Sequence, residues 1–177
     1  MPNYRRIWMP GGTYFFTVNL LRRGDNDLLV RYVDQLRFAV REVGQKFPFT
    51  IHGWVVLPDH MHCLISLPDG DVDFPRRLRL IKAGFSKRLP DIESVSLSRN
   101  KRTERGIWQR RYWKHLIRDE RDFNAHMDYI HINPVKHGLV ARVRDWPFST
   151  FHRLVEQGVY TAAWGGSVLA DSLVYRD

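Results

Sequence analysis

A single cysteine, Cys63, among 177 residues excludes an internal disulfide and any zinc site built on cysteines. No stretch approaches the ~18 consecutive apolar residues of a spanning helix, so no membrane partner is expected. The opening Met1-Pro2-Asn3-Tyr4-Arg5-Arg6 lacks the apolar core of a signal peptide. Repeats and low-complexity blocks are absent. Acidic residues are in short supply: 19 Asp and Glu face 28 Lys and Arg, a formal net charge of +9. That excess argues for a polyanionic partner, and without membrane elements nucleic acid is favoured. With 44% hydrophobic residues the chain can bury a core. The composition describes a basic, cytoplasmic, single-domain protein.

What is present is ordered in recognisable segments. Residues 13–20, rich in aromatic and β-branched side chains after Gly11-Gly12, predict a strand. Val33, Leu36, Val40 and Val43 form a helical stripe within 32–46. Residues 49–57 and 61–67 predict two strands joined by a tight turn at Pro58-Asp59, an antiparallel hairpin. Leu78, Ile81 and Phe85 recur at helical spacing in a basic helix over 74–89. Residues 90–106, with little hydrophobic pattern and many Ser, Lys and Arg, predict a mobile basic loop. A short edge strand is expected over 107–115 and a helix over 119–132, which Asn133-Pro134 should end. The order strand, helix, strand, strand, helix, strand, helix predicts an α+β, ferredoxin-like antiparallel sheet with helices packed on one face. The domain is expected over 1–153, with a C-terminal tail over 154–177.

His60-Met61-His62 lies inside the apolar run that contains the second of the paired strands. Strand side chains alternate between faces, so both imidazoles leave one face together and form half of a metal site. The same spacing is also that of a strand end carrying one exposed and one hydrogen-bonded histidine. In the helix over 119–132, Tyr129 shares a face with Asn133, four residues on. If that face lies across the sheet from the histidines, Asn133 offers a third ligand and Tyr129 a nucleophile for in-line attack on phosphorus. Tyr112, in a basic and aromatic run, is the competing tyrosine.

His60-Met61-His62, Trp108-Gln109-Arg110-Arg111-Tyr112-Trp113 and the run from Asp128-Tyr129 through Asn133-Pro134-Val135-Lys136-His137-Gly138 together resemble the single-tyrosine HUH transposases. More narrowly they resemble the REP-associated tyrosine transposases, as do the stretches Asn3 to Leu20 and Asp145 to His152. The resemblance implies a ferredoxin-like fold that cleaves and rejoins single-stranded DNA at repetitive extragenic palindromes. It implies Tyr129 as nucleophile, His60 and His62 as metal ligands, Asn133 as third ligand, and Mg2+ or Mn2+ as the metal. Ligand chemistry alone favours a transition metal for two imidazoles. A monomer is expected. For DNA contact the basic and aromatic residues Arg5, Arg6, Arg110, Arg111 and Trp108 stand out, with Lys136 as a candidate at the scissile phosphate. Two rival readings are a non-catalytic nucleic-acid-binding module and a metal-dependent hydrolase without a covalent step.

Overall fold

The computed structural model of the chain describes residues 8–91 and 105–165. Strand β1 (Thr13–Asn19) is followed by a short helix α1 (Leu28–Arg31) and by α2 (Val33–Lys46). Strands β2 (Thr50–Val56) and β3 (His60–Ser66) form the expected hairpin, and α3 (Phe74–Lys87) follows. Strand β4 (Trp113–Leu116), the long helix α4 (Glu120–Lys136), a 3-10 turn at Val143–Asp145 and α5 (Phe151–Glu156) complete the order. The four strands pair antiparallel in the order β2-β3-β1-β4, the ferredoxin-like arrangement that the element order predicts.

Alternation along β1 and β3 divides two cores between the sheet faces. Tyr14, Phe16, Val18, Met61, Cys63 and Ile65 join the stripe residues Val33, Leu36, Val43, Leu78, Ile81 and Phe85, so α2 and α3 cover one face. On the opposite face Phe15, Val55, Leu57 and Leu64 meet Met127, Tyr129 and Ile130 of α4. Element order does not specify which face the last helix takes. Instead of leaving that face open for a ligand, the chain lays α4 across it. Arg77 of the basic helix is turned inward, where its guanidinium donates to the carbonyls of Phe47, Pro48 and Asp73 and to Asp71.

The edge strand begins later than expected. Ile107 and Trp108 precede it as core residues, with Trp108 bridged to Leu20. The expected boundary at 153 falls inside α5, and residues beyond it stay with the domain: Tyr160 and Trp164 pack against the small core of Ile132, Val143 and Phe151. Most of the loop expected over 90–106, and the tail after Gly165, lie outside the described residues. No described helix is long and apolar enough to cross a membrane.

Candidate active site

His60 and His62 point from β3 toward α4, as strand alternation requires, with ring centroids 5.0 Å apart. Both are buried, and each is oriented from behind. His60 Nδ1 lies 2.5 Å from Asp59 Oδ1, and Asp59 Oδ2 accepts from Arg23 Nε at 3.0 Å. His62 Nδ1 lies 2.9 Å from Thr17 Oγ1, its cross-strand partner on β1. Burial holds the His60 imidazole below its ordinary range, although the Asp59 carboxylate pulls the other way. Burial would raise Asp59, but hydrogen bonds from His60 and Arg23 outweigh it and hold that carboxyl below its usual range. A neutral His60 bonded through Nδ1 to a carboxylate presents Nε2 as a lone pair, the form of histidine that binds metals.

The second half of the site comes from α4. Asp119 caps the helix by accepting from the Asp122 amide at 2.8 Å. The helix sits low on β2 because Gly53, at a register irregularity in that strand, has no side chain. A Cβ there would lie 2.8 Å from Met127 Sδ and 3.2 Å from Ile130 Cδ1. This approach places the Tyr129 ring 5.2 Å from that of His62, with Phe15 stacked on His62 at 5.5 Å. Tyr129 is buried, and Lys136 Nζ stands 4.9 Å from its ring centroid.

The helix does not end at Asn133, as Pro134 suggests. It runs on to Lys136, with Pro134 inside it. The local preference is overridden by tertiary packing: Asn133 and Pro134 are buried against the core, and Asn133 Nδ2 donates to the Tyr129 carbonyl at 3.4 Å. The end is a Schellman motif at Gly138 (φ 68°), with Gly138 N donating to Val135 O and Leu139 N to Pro134 O. The extra turn brings Lys136 over Tyr129 and His137 to within 5.2 Å of the His60 ring.

Four buried side-chain polar atoms make no hydrogen bond among the described residues: His60 Nε2, His62 Nε2, Asn133 Oδ1 and Asn19 Oδ1. Three belong to the ligand set expected from the sequence. Two imidazole nitrogens and an amide oxygen are a donor set that suits a divalent cation, so the residues present fit the implied metal. A separate cluster, His115, Asp122 and His126, brings its donor atoms within 4.8 Å of one another. Its carboxylate is already engaged, by His115 Nε2 at 2.8 Å and by the amide and guanidinium of Arg118. Burial would raise Asp122, but hydrogen bonds from His115 and Arg118 outweigh it and hold the carboxyl at about 2. This network clamps the first turn of α4 to β4.

The expected DNA-contacting residues divide. Arg110 and Arg111 line an open groove of about 550 Å³ with Trp8, Phe74, Tyr112, Trp113 and Lys114. Trp108 is not part of it. Its ring packs on Phe85, and its indole N–H is directed to Lys82 O and Ser86 Oγ, so a base cannot stack there. Trp113, 50% exposed, and Trp8, 43% exposed, are the aromatics of this groove that face outward. Arg5 and Arg6 lie outside the described residues. Sequence reasoning missed Asp59, Thr17 and Gly53. Asp59 could have been found from its position beside His60, whereas Thr17 and Gly53 act through pairing and packing that only the fold supplies.

The family model described as "Transposase IS200 like" matches residues 27–133. A REP-associated tyrosine transposase of Escherichia coli (strain K12) is 48% identical over 168 residues, spanning 95% of this chain and 93% of that protein. A solved structure of a REP-associated tyrosine transposase bound to a REP hairpin superposes with a TM-score of 0.81 at 46% identity, covering 100% of this chain and 99% of that one. The chain belongs to the IS200-like transposases, a family of DNA-cleaving enzymes, and within them to the REP-associated tyrosine transposases.

Proposed function

We propose that this chain cleaves and rejoins single-stranded DNA beside REP-like hairpins through a covalent 5′-phosphotyrosine at Tyr129. In this reading His60, His62 and Asn133 hold a divalent cation, Mg2+ or Mn2+. The observation that carries it is the packing of the Tyr129 ring against His62 beside two buried donor atoms that make no hydrogen bond, His60 Nε2 and Asn133 Oδ1. Hairpin DNA as substrate is supported by the similar protein solved with a REP hairpin. In this reading the chain acts as a monomer.

The Tyr129 hydroxyl attacks phosphorus, forming the tyrosyl O–P bond and breaking the bond to the 3′-oxygen. The phenolic proton leaves to solvent, and the departing oxygen takes one up as a free 3′-hydroxyl. Because the phosphodiester is exchanged and not hydrolysed, a 3′-hydroxyl can attack the phosphotyrosine and reseal the strand without a nucleotide cofactor. The Lys136 ammonium over the ring stabilises the charge that develops on the phenolic oxygen. Phe15 and His62 fix the ring's direction, while Asp59 and Thr17 fix the imidazoles. A cation bound there would supply Lewis-acid charge at a non-bridging phosphate oxygen.

The test is incubation of the chain with a palindrome-bearing single strand and Mg2+, followed by a denaturing gel beside Tyr129→Phe. The expected result is a protein–DNA adduct that is absent in the variant and in EDTA. Cleavage that survives Tyr129→Phe would favour hydrolysis, and binding without cleavage would favour a recognition module.

A further inference from the structure

We infer that Asn19 is a further oxygen donor to the cation held by His60 and His62, an inference that rests on the metal-dependent reading above. Asn19 is the last residue of β1, and its cross-strand partner is His60. Leu20 N donates to Asp59 O at 2.8 Å, so residues 20 and 59 form a hydrogen-bonded pair. Residues 19 and 60, 17 and 62, 15 and 64, and 13 and 66 are therefore the alternating pairs whose side chains approach most closely on this face.

The polar members of this series behave differently. Thr13 Oγ1 bonds Ser66 Oγ at 2.5 Å, and Thr17 Oγ1 bonds His62 Nδ1 at 2.9 Å. The pair of Asn19 and His60 makes no such bond, although Asn19 Oδ1 and His60 Nε2 are both buried. The reason is chemical. His60 Nδ1 carries the proton shared with Asp59, so Nε2 is an acceptor, and an amide oxygen is an acceptor only. Two acceptors cannot satisfy each other. A phosphate oxygen would add a third acceptor, whereas a cation satisfies both at once. An added amide oxygen also changes what the site selects. Two imidazoles favour borderline transition metals, and each oxygen donor moves the set toward the harder Mg2+ and Mn2+.

The test is Mn2+ binding to the full chain without DNA, read by loss of the free-ion EPR signal and by calorimetry. Asn19→Leu should weaken Mn2+ at least tenfold while leaving Zn2+ much less affected. Asn19→Asp, which keeps the oxygen and adds charge, should tighten Mn2+ about threefold or more. Wild-type Mn2+ affinity in Asn19→Leu overturns the inference. Unchanged or weaker affinity in Asn19→Asp does so too, since it would mean that the amide N–H₂ donates to His60. If Asn19→Leu fails to fold, Asn19→Asp alone decides. His60→Ala separates the two levels. If it binds Mn2+ as the wild type does, the metal-dependent reading fails; if it loses Mn2+ while Asn19→Leu does not, only the role of Asn19 fails.

Discussion

Adding one methyl group at Gly53 tests how the site is assembled. The Cβ of Gly53→Ala would meet Met127 Sδ at 2.8 Å, Ile130 Cδ1 at 3.2 Å and His131 Cε1 at 3.4 Å. Met127 can turn away. Ile130 Cδ1 is wedged in the core, and His131 behind it is tied to Met127 O at 2.7 Å and to Thr150 Oγ1 at 2.8 Å. The tight contact with Ile130 is relieved by moving α4 outward by a few tenths of an ångström or more. Overpacking of this kind costs about 1–3 kcal/mol, offset by roughly 0.5–1 kcal/mol from replacing a strand glycine. A net loss of about 1–2 kcal/mol in urea denaturation is expected. The larger effect falls on chemistry, because α4 carries both Tyr129 and Asn133 while the histidines stay on β3. Misplacement near 1 Å costs on the order of 100-fold in rate. Single-turnover adduct formation should therefore fall by ten- to a hundredfold while hairpin affinity is retained. Ile130→Val in the Gly53→Ala background removes the Cδ1 atom that turning Met127 does not clear and should restore much of the adduct formation, with a coupling of about 1 kcal/mol or more in the double-mutant cycle. Wild-type adduct formation in Gly53→Ala, or strict additivity with Ile130→Val, would refute the role assigned to this close approach.

Three other outcomes follow from the geometry. Asp122, held at about 2, has a depressed folded pKa, so its stabilisation is present above the ordinary carboxylate range and is lost as pH falls through that window. Relative to Asp122→Asn, the wild type should lose about 1 kcal/mol between pH 5 and pH 3 by urea titration; parallel curves would contradict this. Arg77→Leu leaves the Asp71 carboxylate and three carbonyls without their donor and should destabilise by about 3–5 kcal/mol, read as a shift in the denaturation midpoint. Trp113→Ala should weaken single-strand binding by ~1–3 kcal/mol in a filter or anisotropy assay, whereas Trp108→Phe should lower stability and leave DNA affinity nearly unchanged.

Runs of apolar, aromatic and β-branched residues bounded by turn signals made β1, β2 and β3 readable from the sequence, because a strand buried on two faces leaves a near-continuous apolar run. Strand alternation placed His60 and His62 together, and helical spacing placed Tyr129 with Asn133. Pro134 misled because the rule against helix before proline is local, whereas the burial of Asn133 and Pro134 is not. Trp108 misled because an aromatic among arginines has the composition of a DNA surface, and only the late start of β4 shows that this ring belongs inside. Asn19 and Thr17 were invisible as site residues for a different reason. Their roles come from strand register, and register is a relation between segments that neither segment contains.

That register also limits how this protein can change length. Thr17 and Asn19 serve the histidines, while their neighbours Phe16 and Val18 fill the opposite core. A single-residue insertion within β1 would exchange these duties, turning Phe16 and Val18 toward the histidines and burying Thr17 and Asn19 beneath α2 and α3. A two-residue insertion would restore the faces but break the pairing of Thr17 with His62. Both steps disturb the site unless a bulge absorbs the extra residue, as β2 does between Ile51 and Gly53. Related proteins that differ in length should carry the difference in the connections, not in β1 or β3.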